Sequence, residues 1–190
     1  MSQLEQEMSR DELIALRKKR TGVTVFQWSW ILVFVCLILV NLQIRGNFAT
    51  WPPEGVAALD KVFPTIATIG LLISALLARS GLKAMAAGER EKFFSPWLGA
   101  LGLAIAFFVV MTVQFFSAQI DNQYGAIFRV MIGYHALHAV VIAYIMLRVY
   151  QTARAGGYRP RDYFPVEAGA RLWYFVVAAW IMFYVVLYVL

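Results

Sequence analysis

The chain of 190 residues is poor in the groups that most enzymes and secreted proteins depend on. It has one cysteine, Cys36, inside an apolar run. No disulfide can form within it, and no cysteine cluster can hold a metal. It has two histidines and 11 acidic residues, and no Asp or Glu falls deep inside a long apolar stretch. Proton relays through a membrane use chained acids, histidines or waters, so that role lacks its acidic members. Ser29, Ser74 and Ser80 have no paired histidine and acid, which excludes a serine nucleophile of the triad type. There is no glycine-rich phosphate loop and no internal repeat. The first residues, Met1 to Thr21, are polar and lack the short apolar region of a signal peptide. The first apolar segment is expected to be its own insertion signal.

What is present is apolar. Hydrophobic residues make up 61% of the chain and charged ones 15%, with a mean hydropathy of +0.66. That exceeds an ordinary soluble domain and indicates an integral membrane protein. The net charge of +6 could suggest nucleic acid. The charges lie between apolar segments, however, which points to membrane flanks and no nucleic-acid partner.

Five segments are long enough to cross a bilayer as helices, at about 23–44, 63–78, 96–116, 126–148 and 166–190. Membrane barrel strands are about half as long and alternate, so the fold class is an all-α integral membrane protein, a bundle of five transmembrane helices. Residues 1–190 are expected to form a single membrane domain, with 1–22 as a cytoplasmic N-terminal segment. In that segment Ser9 and Glu12 fit a capping box for a short helix ending in Arg17-Lys18-Lys19-Arg20. Trp51-Pro52-Pro53 breaks the first connection, and Pro64 sits in the first turn of segment two. Residues 79–94 read as a loop. Ser95-Pro96-Trp97 reads as the start of segment three, and Asp121 or Asn122 as the cap of segment four. A polar connection over 151–162 carries Gly156-Gly157 and Pro160 as breakers. Fourteen basic residues fall on the N-terminal side and three on the other, Arg45, Lys61 and Arg129. This bias predicts a cytoplasmic N-terminus and a periplasmic C-terminus.

Segment four holds both histidines in Gly133-Tyr134-His135-Ala136-Leu137-His138. Three residues apart, they share a helix face. His138 lies roughly 15 Å along the helix from Arg148, near mid-bilayer. A haem clamp needs histidines on facing helices, and a metal site needs carboxylates at that depth. Neither is offered. Neutral histidines, hydrogen-bonded within the bundle, are the preferred reading. Glu167 lies near the other end of its helix, roughly 10 to 15 Å away in depth, and no contact with His138 is expected.

The same residues carry a family resemblance. Tyr124-Gly125-Ala126-Ile127-Phe128 followed by Gly133-Tyr134-His135-Ala136-Leu137-His138 resembles the fourth helix of the five-helix form of cytochrome c oxidase subunit III. That family has Phe-Gly-Ser-Leu-Phe and then Gly-Phe-His-Gly-Leu-His at the same spacing. Residues 167–180, from Glu167-Ala168-Gly169-Ala170 to Ala179-Trp180, resemble without a gap the family's last helix, Glu-Ala-Ala-Ala-Trp-Tyr-Trp-His-Phe-Val-Asp-Val-Val-Trp. Trp51-Pro52-Pro53 and Gln114 are also similar. Tyr174 stands where the family has a histidine, and Val177 where it has an aspartate. No acid stands near Trp30 and Ile31, where the family usually has a glutamate.

The resemblance implies a subunit without catalytic residues or cofactors of its own. Haem and copper are expected in partner subunits. The chain would pack against the catalytic subunit I of a haem–copper terminal oxidase in the bacterial cytoplasmic (inner) membrane, among other respiratory subunits. There it would hold phospholipid and support sustained proton uptake during oxygen reduction. His135, His138, Glu167, Arg171 and Trp173 are the candidate lipid or polar-network residues. A quinol oxidase, a nitric-oxide-reductase-associated complex and a small free-standing transporter stay open as alternatives.

Overall fold

The computed structural model describes residues 9–118, 121–158 and 163–190. Five helices follow in order: α1 Arg10–Arg45, α2 Val62–Ala86, α3 Arg90–Ser117, α4 Gln123–Arg154 and α5 Phe164–Tyr184. The last continues into a π-helical turn, Val185–Val189. Each is long and apolar enough to cross a membrane, and no strand occurs among the described residues. The all-helical membrane bundle read from the sequence is the fold observed.

The helix ends differ from the hydropathy segments. α1 is one helix of 36 residues, so the expected short N-terminal helix and the first span are continuous. The capping box at Ser9 is complete: its Oγ accepts from the Glu12 N–H at 3.3 Å, and Glu12 Oε2 accepts from the Ser9 N–H at 2.8 Å. Between Arg20 and Val23 the weakest helix former is Gly22, whose cost of about 1 kcal/mol is too small to break so long a helix. At about 1.5 Å per residue α1 outruns a hydrocarbon layer of about 30 Å.

Residues 79–94, read as a loop, are mostly helical. α2 and α3 both extend past the apolar region, and Ala87, Gly88 and Glu89 alone separate them. Gly88 makes this turn possible with φ +76°, a conformation that costs other residues about 1–2 kcal/mol. Pro96 is therefore inside α3 and does not start it. Pro64 does occupy the first turn of α2. Asn122, of the two candidates, caps α4 by accepting from the Gly125 N–H at 2.8 Å. Gly156 turns the chain with φ +82°, while Pro160 lies outside the described residues.

Two arginines close helix ends. Arg90 donates to the carbonyls of Ala153 and Arg154 at the end of α4. Arg129 donates to those of Phe116 and Ala118 at the end of α3. These carbonyls have no partner within their own helix.

α2 and α3 lie closest together. A Cβ on Gly81 would sit 3.1 Å from the Trp97 ring, and one on Gly99 3.1 Å from Leu77. Small residues permit such approach between membrane helices. α5 is enclosed by α4, α2 and α1. Three buried indoles tie the helices together. Trp97 Nε1 donates to the Met146 carbonyl at 3.0 Å, Trp173 Nε1 to Ser74 Oγ at 3.0 Å, and Trp180 Nε1 to Thr68 Oγ1 at 2.8 Å. α1 stands at the edge against α5 and α4, with Phe34 and Asn41 as its buried residues.

Candidate functional site

α4 turns its histidines into the bundle. His135 is 1% exposed. Aromatic rings from three other helices surround it: Trp180 at 5.3 Å, Phe107 at 5.8 Å, Phe34 at 6.1 Å and Phe183 at 6.2 Å between centroids. Among the described residues, neither of its ring nitrogens has a hydrogen-bond partner. His138, one turn on, meets Trp30 edge-on at 4.2 Å and Tyr134 at 4.2 Å. Its Nδ1 donates to the Tyr134 carbonyl at 2.7 Å, which requires the proton on Nδ1.

The Nδ1 of His138 is engaged with backbone, and aromatic rings pack around both imidazoles. No group of three or more His, Cys, Asp or Glu stands together among the described residues. The surroundings are edges and faces of rings, contacts that fix a neutral imidazole by packing.

Glu167 is elsewhere. It sits in the first turn of α5, 8% exposed, and faces two arginines. Arg20 Nε lies 3.0 and 3.2 Å from its two carboxylate oxygens, and Arg20 Nη2 2.9 Å from Oε2. Arg171 Nη2 reaches Oε1 at 2.7 Å, one turn along α5. Such forked, charge-assisted bonds are the strong kind. Beside them Gln27 Nε2 donates to the Arg171 carbonyl at 3.0 Å.

Next to this cluster α1 and α5 leave an open groove of about 370 Å³, lined by Thr24, Gln27, Trp28, Ile31, Arg171, Tyr174 and Phe175. The Tyr174 hydroxyl is buried and has no hydrogen-bond partner among the described residues. The groove thus combines a half-exposed guanidinium, an unengaged phenol and an exposed indole.

The five sequence candidates fall into three places. His135 and His138 share the aromatic cage. Glu167 and Arg171 share the ion cluster. Trp173, 1% exposed, is bonded to Ser74 inside the bundle and faces neither lipid nor the groove. Val177, where the resembling family has an aspartate, lies on α5 between Trp173 and Trp180. It is buried at 5%.

Arg20, Gln27, Ser74 and Tyr174 escaped sequence reasoning. Arg20 closes the basic run that ends the expected N-terminal helix, and its place at the edge of the apolar stretch is its one signal. Ser74 and Gln27 are single polar residues in apolar segments, and nothing in the sequence says which neighbour they meet.

Comparison with known proteins followed the same direction. The family described as cytochrome c oxidase subunit III matches residues 7–190. Among curated proteins, the cytochrome c oxidase subunit 3 of Thermostichus vulcanus is 29% identical over 175 residues, covering 89% of this chain and 86% of that one. That of Synechocystis sp. is 26% identical over 174 residues, with 89% and 74% covered. That of Paracentrotus lividus is 27% identical over 143 residues, with 73% and 55% covered.

Proposed function

Because the chain belongs to the cytochrome c oxidase subunit III family, we propose that it is an accessory, non-catalytic subunit of a haem–copper terminal oxidase. In this reading it packs beside the catalytic subunit I in the bacterial cytoplasmic membrane. Its N-terminus is cytoplasmic, its C-terminus periplasmic, and haem and copper belong to partner subunits. The observation that carries the reading is the family match, which runs almost the whole length of a multi-pass membrane chain. The basic residues, fourteen against three, support the orientation.

The work of this chain's own residues is mechanical and electrostatic. The aromatic cage around His135 and His138 holds α4 against α1, α3 and α5. The Arg20–Glu167–Arg171 cluster fixes α1 to α5. The groove beside it takes a phospholipid headgroup, with Arg171 and the Tyr174 hydroxyl toward the phosphate. A fixed lipid there fills the seam between helices and keeps the subunit seated on its partner. That seating supports sustained proton uptake through the complex.

Membranes from cells lacking the chain test this. Their oxidase haem bands are expected to persist, while oxygen consumption decays faster during turnover than in the parent. Loss of the haem bands together with the chain in otherwise assembled complex would place a haem in it and overturn the proposal. In purified complex, Arg171→Leu is expected to lower bound phospholipid; unchanged lipid content would remove the groove assignment alone.

A further inference from the structure

α1 is the helix that the bundle covers least. In its most apolar stretch 6% of residues are buried, against 28–56% in the other four spans. It packs on α5 and α4, with Phe34 and Asn41 buried there. The face turned away from them follows a seven-residue repeat. Gly22, Ser29, Cys36 and Gln43 stand seven apart, and Val25, Leu32 and Leu39 fall between them, three residues after each of the first three. All seven are exposed, the aliphatic ones at 62%, 66% and 59%. No charged residue occurs on α1 from Thr21 to Ile44.

Spacings of three and four in alternation place these residues on one seam, the a and d positions of a heptad. Contact with lipid tails demands no such pattern, and the neighbouring outer faces lack it. The exposed positions of α2 from Val62 to Leu76 are all bulky and apolar. Those of α4 from Val130 to Leu147 are bulky as well. On α1, bulk alternates with small or polar side chains, and a Cβ added at Gly22 meets nothing within 4 Å. Small residues let two membrane helices approach closely, and serine and glutamine hydrogen-bond across such contacts.

The seam also says which helix fits it. Two copies inserted the same way present α1 in parallel, and a parallel pair sets each a and d residue opposite its own copy. Each layer suits that arrangement. The Ser29 hydroxyl and the Gln43 amide carry both donor and acceptor, so each complements itself. Leu32 and Leu39 fill d, the position leucine takes in two-stranded pairs. From Gly22 to Gln43 the seam is about 32 Å long on a helix about 10–12 Å across. Two copies then bury on the order of 1,000 Å², the area at which a specific interface begins.

We propose that α1 pairs in parallel with α1 of a second copy of this chain, along the seam from Gly22 to Gln43. The pair joins two assemblies through this subunit and leaves the α1–α5 groove open at its side. It goes beyond the oxidase reading: co-isolation of a catalytic subunit and pairing through α1 succeed or fail separately.

Cys36 is the one cysteine of the chain, and in this pair it faces its own copy. The test treats membranes that hold the full chain and its accompanying subunits with copper phenanthroline, which oxidises two apposed thiols to a disulfide. A reducible dimer of this chain is expected, with a yield that holds when the membranes are diluted about tenfold by fusion with added lipid. Ser29→Leu thickens the layer one heptad from Cys36. It is expected to lower the yield about tenfold, the scale of a lost contact between membrane helices. In a Cys36→Ser background, Leu32→Cys is expected to cross-link as Cys36 does, and Leu137→Cys on the exposed face of α4 to remain monomeric. Absence of the dimer at both Cys36 and Leu32→Cys would overturn the proposal, as would equal yields from Leu32→Cys and Leu137→Cys. A yield that falls in proportion to added lipid would reduce the dimer to random collision. A Cys36 cross-link to a protein of another mass would assign the seam to a different partner.

Discussion

His135 carries two ring nitrogens into a space walled by Phe34, Phe107, Trp180 and Phe183, and neither is hydrogen-bonded among the described residues. Replacing an unsatisfied buried polar group by an apolar one of similar shape is neutral or favourable. His135→Leu is therefore expected to hold or raise the free energy of unfolding in detergent, by up to about 1–3 kcal/mol. His135→Ala is expected to lower it by about 3 kcal/mol through the cavity it opens. A large loss with leucine would mean that the imidazole has an essential partner. Ser74 is the opposite case, since it accepts the Trp173 N–H at 3.0 Å. Ser74→Ala is expected to cost about 1–3 kcal/mol by stranding that donor. Trp173→Phe in the same background is expected to add less than it costs alone, a coupling that a double-mutant cycle measures. The histidine pair was legible because two imidazoles in a long apolar run stand out, and their spacing sets a common face. Their surroundings were not, because Phe34, Phe107 and Trp180 come from three other helices whose rotation about their axes no single segment encodes.

At the scale of elements, α1 is the weakly embedded helix, and its firmest polar tie is Arg20 to Glu167, 147 residues apart. Glu167→Gln removes the charge that two arginines share. It is expected to destabilise the attachment of α1 by about 1–3 kcal/mol, as for a partly buried charged hydrogen bond. Trypsin should then cut faster among Arg17, Lys18, Lys19 and Arg20, with the α2–α5 region protected as before. An unchanged cleavage rate would assign the attachment of α1 to Trp30 and Phe34 instead. The five spans and their order could be read from hydropathy, the cap at Ser9 from its spacing to Glu12, and the cap of α4 only as Asp121 or Asn122. The helix ends could not. Hydropathy marks where the chain meets lipid, while the helices continue into water through residues such as Lys83, Arg90 and Lys92. Pro96 misled for a related reason: proline after serine is a start signal, but here the preceding turn, from Arg90, is already helical.

For the whole molecule, the external surface sets the reading. α1 exposes Val25, Trp28, Leu32 and Leu39 along its length, and α2 exposes Phe63, Ile66 and Leu76. Apolar side chains at this density suit lipid and a partner's helices alike. With the family match over residues 7–190, they suit a subunit seated in a larger oxidase. The family itself was legible in the histidine motif and in the stretch from Glu167 to Trp180. The departures at Tyr174 and Val177 became intelligible only with the helices in place: Tyr174 borders the α1–α5 groove, and Val177 lies between two indoles that already hold α5. The most direct measurement is isolation of the tagged chain from its native membrane in mild detergent, followed by the visible spectrum and identification of co-isolated proteins. The expected result is a haem–copper catalytic subunit in stoichiometric amount, with its haem bands staying with that subunit once the two are separated. A colourless chain isolated without partners would contradict the account, as would haem that remains with this chain after separation.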